Sequence, residues 1–160
     1  MEKTVSVAPM MDCTDKHEIF FLSLISKKVC LYTEMIVANA IIRGDRKKLL
    51  SFKKIDNPVI LQIGGSNPYE LAEACKISED FGYKEINLNL GCPSKKVQKN
   101  KFGACLMQEP DLVAKCIQAM TKATNLPITI KTRIGYNDVE DFNFLKSFIQ
   151  TTKDAGSKKF

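Results

Sequence analysis

One short stretch, NLNLGCPSKKVQKNKFGACLM from Asn87 to Met107, gathers the residues best able to do chemistry. Asn87 and Asn89 are two apart, so in a strand they face the same side. Asparagine is poor strand material, and an inward-facing pair needs partners for its amides. The pair reads either as a satisfied loop network or as a reader of a planar polar ligand. Gly91 lets the backbone turn and Pro93 stiffens the exit, which holds Cys92 at the strand tip. A cysteine there can be a small buried hydrophobe, a metal ligand, a nucleophile or an acid. Lys95 and Lys96 nearby favour the thiolate, whereas an acid role needs the proton retained; both states stay open.

Two other strand ends carry polar groups. Lys131 ends ITIK and brings a cation, as a Schiff-base former, an anion binder or a charge beside a cofactor. Gln62 offers a donor and an acceptor, which suits the polar edge of a heteroaromatic ring. Either residue can instead be a rim group facing water. Gly64 and Gly65 leave room for close backbone approach. The six cysteines form no C-x-x-C pair, and the single histidine, His17, is near none of them in sequence. That gives no zinc pattern and favours reduced thiols, so no metal is expected.

These residues need elements to position them. Apolar runs at Val5–Met10, Val29–Met35, Val59–Gly64, Ile86–Leu90 and Ile128–Ile134 read as strands, several of them buried on both faces. Helical patterns lie between. Asn67 caps a helix that Pro68 enters and Gly82 stops; Pro110 opens the next. Val113, Cys116, Ile117 and Met120 form an apolar stripe, as do Leu71, Ala74, Cys75, Ser78 and Phe81, so Cys75 and Cys116 are expected in the core. Val139–Thr151 reads as a further helix with Phe142, Leu145, Phe148 and Ile149 on one face.

Strand–helix alternation implies a parallel sheet, either doubly wound or a (β/α)8 barrel. No Gly-x-Gly-x-x-Gly follows the first strand. Special residues stand at every strand's C-terminal end: Pro9–Met10, Thr33–Glu34, Gln62 with Gly64–Gly65, Asn89 with Cys92, and Lys131 with Arg133. In a barrel those ends converge on one mouth. The expected class is therefore α/β, the N-terminal part (about five strands) of a TIM (β/α)8 barrel. A whole barrel takes roughly 250 residues, and this chain has 160. Gly156 should end the fifth helix and Lys158–Phe160 begin a sixth strand, so the expectation is an incomplete barrel over residues 1–160.

Hydrophobic content of 44% and charged content of 26% are ordinary for a soluble domain. No apolar run is long enough to cross a bilayer and the N-terminus has no signal-peptide pattern, so a cytoplasmic protein without membrane contact is expected. Net charge is +6. Arg43, Arg46, Lys47 and Lys48 form one cluster and Lys95, Lys96, Lys99 and Lys101 another. They are solvated loops or contacts to a polyanion.

SVAPMMDCTD, LYTEM, LQIGGSNP, EINLNLGCPS with VQKNKFGACLM, and ITIKTRIG, in this order and spacing, resemble the tRNA-dihydrouridine synthases, with the branch acting on uridines 20 and 20a of the D-loop most similar. The resemblance implies an FMN-containing barrel in which NADPH reduces the flavin. The flavin then passes hydride to C6 of a uracil flipped out of the tRNA. Cys92 matches the acid that protonates C5, and Asn89 the asparagine that contacts the base. Pro9, Met10 and Met11 match the first flavin-contacting segment, and Gln62 and Lys131 the flavin-edge residues. Lys95 and Lys96 would lie in a loop by the tRNA backbone.

The resemblance also implies later strands that hold the FMN phosphate, followed by a helical tRNA-gripping domain, in a monomeric full-length parent. The 160-residue chain alone is therefore expected to hold FMN weakly or not at all and to lack activity. The alternatives are another FMN barrel reducing a free pyrimidine and a non-catalytic RNA-binding remnant.

Overall fold

Five runs form strands in the computed structural model, which describes residues 5–136 and 141–160. They are β1 (Ser6–Val7), β2 (Cys30–Val37), β3 (Val59–Gly64), β4 (Glu85–Leu90) and β5 (Ile128–Thr132). Every pairing is parallel and the spatial order is β1-β2-β3-β4-β5. That order decides the architecture. Parallel crossovers are right-handed, so strands added always on the same side carry their helices on one face. A doubly wound sheet needs a reversal of order, and there is none among these strands. This is the front part of a (β/α)8 barrel.

The helices are α1 (Lys16–Ile25), α2 (Ala38–Arg43), α3 (Arg46–Leu50), α4 (Pro68–Ser78), α5 (Lys95–Lys99), α6 (Pro110–Ala123) and α7 (Phe142–Asp154). Alternation along the strands sends Leu61, Ile63, Ile86, Leu88, Ile128 and Ile130 to one face. They are buried in one core with Leu71, Ala74 and Cys75 of α4 and Val113, Cys116, Ile117 and Met120 of α6. Burying each large aliphatic contributes about 1.5–3 kcal/mol. The other face of the same strands is polar: Gln62, Glu85, Asn87, Asn89 and Thr129 are all buried there.

Asn67 caps α4 through Oδ1, which accepts from the N–H groups of Tyr69 and Glu70. Pro110 stands in the first turn of α6. Gly82 follows a 3-10 turn, Glu79–Phe81, that prolongs α4. Past α7, the Lys158 N–H donates to the Ile128 carbonyl at 2.8 Å and the Ile130 N–H donates to the Lys159 carbonyl at 3.2 Å. The chain there runs alongside β5 in the parallel direction, as a sixth strand would.

Several boundaries differ from the sequence expectation. β1 is two residues long, because Pro9 lacks an N–H and Met10 turns away to bond Thr14. β2 continues to Val37 through a bulge, with Thr33 and Glu34 opposite one residue of β3. The bulge serves the neighbouring loop: Glu34 accepts the N–H of Asp12, and its own N–H donates to Thr14. The lysine-rich segment expected as a loop contains α5, capped by Ser94, which accepts from the Val97 N–H.

α1, unforeseen, is apolar over much of its circumference and offers no clean stripe. α7 starts at Phe142 and leaves that side chain exposed, while Phe144 stacks on Phe148 at 6.5 Å. The expected earlier start at Val139 lies outside the described residues.

Candidate active site

The polar face of the sheet is built by register. Gln62 pairs with Asn87, Asn87 with Thr129, and Asn89 with Lys131, so these side chains lie in adjacent rows on one surface. They satisfy one another. Gln62 Nε2 donates to Asn87 Oδ1 at 2.9 Å, Asn87 Nδ2 to Thr129 Oγ1 at 2.9 Å, and Asn89 Nδ2 to Gln62 Oε1 at 2.8 Å. At the start of β4, Glu85 accepts from Thr129 Oγ1 at 2.7 Å and from Lys159 Nζ at 2.8 Å. Burial, and then the Glu85 charge, pushes the Tyr32 phenol up to about 12, so it remains a protonated donor beside that carboxylate.

The loop after β4 is fixed from both sides. Asn89 Oδ1 accepts the N–H groups of Gly91 at 3.2 Å and Cys92 at 3.0 Å. The Cys92 carbonyl accepts the Ala104 N–H at 3.0 Å, which docks the FGACLM segment against it. Gly103 makes that docking possible. Its φ is +77°, and a Cβ there would lie 2.6 Å from Val97 Cγ1 and 2.7 Å from the Cys92 oxygen. Arg133 Nε donates to the Gly91 carbonyl at 2.8 Å and ties the loop to the end of β5.

Cys92 is half-buried on the border of two cavities. One, of about 320 Å³, is lined by Pro9, Met10, Met11, Met35, Gln62, Asn89, Gly91, Cys92 and Lys131. The other, of about 690 Å³, runs past Cys92 between the α2 and α5 sides, with Asn39, Ser66 and Phe102 in its walls. Met11, Met35 and Cys92 line both. The smaller cavity thus brings together Cys92, Asn89, Gln62, Lys131, Pro9, Met10 and Met11, drawn from four strand ends. Lys131 is exposed at its mouth. Lys95 stands apart, exposed on α5 and lining neither cavity. The side chain of Lys96 lies outside the described residues.

Three other thiols are packing groups. Burial pushes Cys75 and Cys116 up to about 12 and raises Cys105 as well, which leaves them neutral packing groups. Glu85, Thr129, Met35 and Gly103 were not singled out from the sequence. Two of them carried a signal: Glu85 is two residues before Asn87, and Thr129 two before Lys131, so the period of a strand puts each on the same polar face.

The sequence model of the dihydrouridine synthase family matches residues 6–160. The chain belongs to that family. Among dihydrouridine synthases, it is 51% identical to the tRNA-dihydrouridine(20/20a) synthase of Synechocystis sp., over 98% of this chain and 47% of the relative. It is 46% identical to the protein of that name from Shewanella oneidensis, over 100% of this chain and 48% of the relative. With the Yersinia pestis protein of the same name, identity is 51% over 94% of this chain and 44% of the relative. The chain spans about half the length of the curated relatives it matches. Among the described residues, no helix is long and apolar enough to cross a membrane.

Proposed function

We propose that this chain is the catalytic front half of an enzyme that reduces uridine to 5,6-dihydrouridine in the D-loop of tRNA, at positions 20 and 20a, in the cytoplasm. The observation that carries the reading is the place of Cys92, on the border between a cavity floored by amides with a lysine at its mouth and a larger groove. Relatives named for this reaction, at about half identity over nearly the whole chain, support it.

The smaller cavity fits the ring edge of FMN. Gln62 and Asn89 each commit one amide N–H to internal bonding, which leaves the second Gln62 N–H and the Lys131 ammonium for ring oxygens and nitrogens and the second Asn89 N–H for the base. Met10, Met11 and Pro9 supply apolar contact. When bound, FMN supplies the hydride for C6 of the uracil after reduction by NADPH, and the lysine beside the ring favours its anionic reduced form.

The chain's own residues do the rest. The Cys92 thiol gives its proton to C5 as negative charge develops there, and recovers one from solvent. Asn89 fixes the thiol's backbone and contacts the base. The base leaves its stack to reach the groove. Lys95 and Lys96 balance phosphate charge along the tRNA backbone. Further strands that close the barrel, and a helical tRNA-gripping domain, belong to the same proposal, in a monomeric whole protein.

The test is nucleoside mass spectrometry of tRNA lacking dihydrouridine. The tRNA is incubated with FMN, NADPH and protein carrying this chain at the length of its relatives. Dihydrouridine should form with the native sequence and be lost with Cys92→Ala. Native protein that holds no flavin and leaves the tRNA unchanged overturns the reading.

A further inference from the structure

The polar face of the sheet carries a hydrogen-bond series that runs in one direction throughout. The Cys92 N–H donates to Asn89 Oδ1, Asn89 Nδ2 to Gln62 Oε1, Gln62 Nε2 to Asn87 Oδ1, Asn87 Nδ2 to Thr129 Oγ1, and Thr129 Oγ1 to Glu85 Oε1. The five steps span 2.7 to 3.0 Å. Glu85 is 3% exposed, and its second oxygen takes Lys159 Nζ. We propose that Glu85 and Thr129 are positioning residues for the site. The buried carboxylate, acting through the Thr129 hydroxyl, fixes which way three carboxamides face and keeps the floor of the cavity beside Cys92 a surface of N–H donors.

A carboxylate only accepts, so the Thr129 hydroxyl spends its proton on Glu85 and can only accept from Asn87. Asn87 must then present nitrogen to Thr129 and oxygen to Gln62. Gln62 must present nitrogen to Asn87 and oxygen to Asn89. Asn89 is left with its oxygen turned to the loop, where two backbone N–H groups need it. Both ends demand the same direction. Turning any one amide over would set nitrogen against nitrogen and oxygen against oxygen in a buried place, and each bond polarises the next in the same sense.

The consequence is chemical. With both acceptor positions of its oxygen taken by loop N–H groups, Asn89 can offer the cavity only N–H; Gln62, its oxygen turned to Asn89, adds its second N–H beside the Lys131 ammonium. Such a floor favours carbonyl oxygens and deprotonated ring nitrogens, the acceptor-rich edge of an anionic pyrimidine ring, over donor edges. This consequence rests on reading the cavity as a flavin site; the series itself does not.

Thr129→Val removes the hydroxyl at nearly constant shape, and Thr129→Ser restores it. Side-chain NH2 resonances of Asn87, Gln62 and Asn89 report the series directly, and FMN fluorescence quenching reports the cavity. In Thr129→Val all three carboxamides should shift, Asn89 included. FMN should bind about tenfold more weakly, the equivalent of one lost hydrogen bond. Thr129→Ser should behave as the native protein.

A change confined to Asn87, or unaltered FMN binding, overturns the proposal. If no form of the protein at the length of its relatives holds FMN, the flavin reading fails while the amide resonances still decide the series. If Thr129→Val does not fold, Thr129→Ala removes the same hydroxyl and carries the same comparison. In the native protein, Asn89 and Gln62 amides that exchange as fast as exposed ones sink the proposal without any variant.

Discussion

The side-chain oxygen of Asn89 accepts the backbone N–H of Cys92 at 3.0 Å, and its nitrogen donates to Gln62 at 2.8 Å. One residue thus couples the thiol's loop to the wall of the cavity, so the placing of the thiol and the shape of the site are not separable. Asn89→Ala leaves two loop N–H groups and the Gln62 oxygen without their partner. A cost of about 1–3 kcal/mol is expected for such a loss, visible as a lowered melting temperature, with activity falling further than stability explains.

Cys92→Ala removes a half-buried sulfur without disturbing a bond of the loop backbone. Its fold and FMN affinity should match the native protein. Dihydrouridine formation should fall by about 10²-fold or more, the range for losing a general acid. Full activity in Cys92→Ala would remove the thiol from the mechanism.

Gly103 and Gly82 make a matched pair. Both have positive φ, +77° and +89°, but a Cβ at Gly82 meets nothing within 4 Å, whereas at Gly103 it meets Val97 and the Cys92 carbonyl. Gly82→Ala should cost only the left-handed strain, about 1–2 kcal/mol. Gly103→Ala should cost more, and should also lose activity by displacing the Cys92 loop. Chemical denaturation of the two variants gives the comparison; equal costs would show that the FGACLM docking is slack.

Alkaline pH should destabilise the fold in a defined window. Cys75 and Cys116 keep their protons up to about 12 in the folded chain against an ordinary 9.0, and Tyr32 up to about 12 against 10.0. The unfolded chain gives up these protons first. Stability is therefore full below about 9 and declines as pH rises toward 12. Melting temperatures between those limits measure it. In the native protein at neutral pH, the exposed Cys13 should alkylate far faster than Cys75 or Cys116.

The barrel winding was legible because it follows from apolar runs alternating with capped helices, and Asn67, Pro68 and Pro110 act locally. Gln62, Asn89, Cys92 and Lys131 stood out as polar groups ending apolar runs. Glu85 and Thr129 did not: Glu85 precedes the apolar run that starts at Ile86, and Thr129 sits between two isoleucines, where it reads as ordinary strand material. The β2 bulge was invisible because a distant loop sets it, through the Asp12–Glu34 and Thr14–Glu34 bonds. α5 is one turn long, too short for periodicity to reveal, and the mixed circumference of α1 hides its period.

The Glu85–Lys159 bond reaches from the start of β4 across β5 to the segment that follows α7. An exposed strand edge pairs with almost any extended peptide, since backbone bonding is indifferent to sequence. Here the edge has an alignment mark. Sliding the incoming segment by one residue turns the Lys159 ammonium to the opposite face, and in one direction of slip the adjacent Lys158 takes its place. Of the frames in which this segment could lie against β5, the carboxylate favours those that set one of these two lysines opposite it, and a foreign peptide without a suitably placed cation gains no such match. The buried carboxylate thus narrows the choice of neighbour at the edge of the sheet to segments that bring a cation.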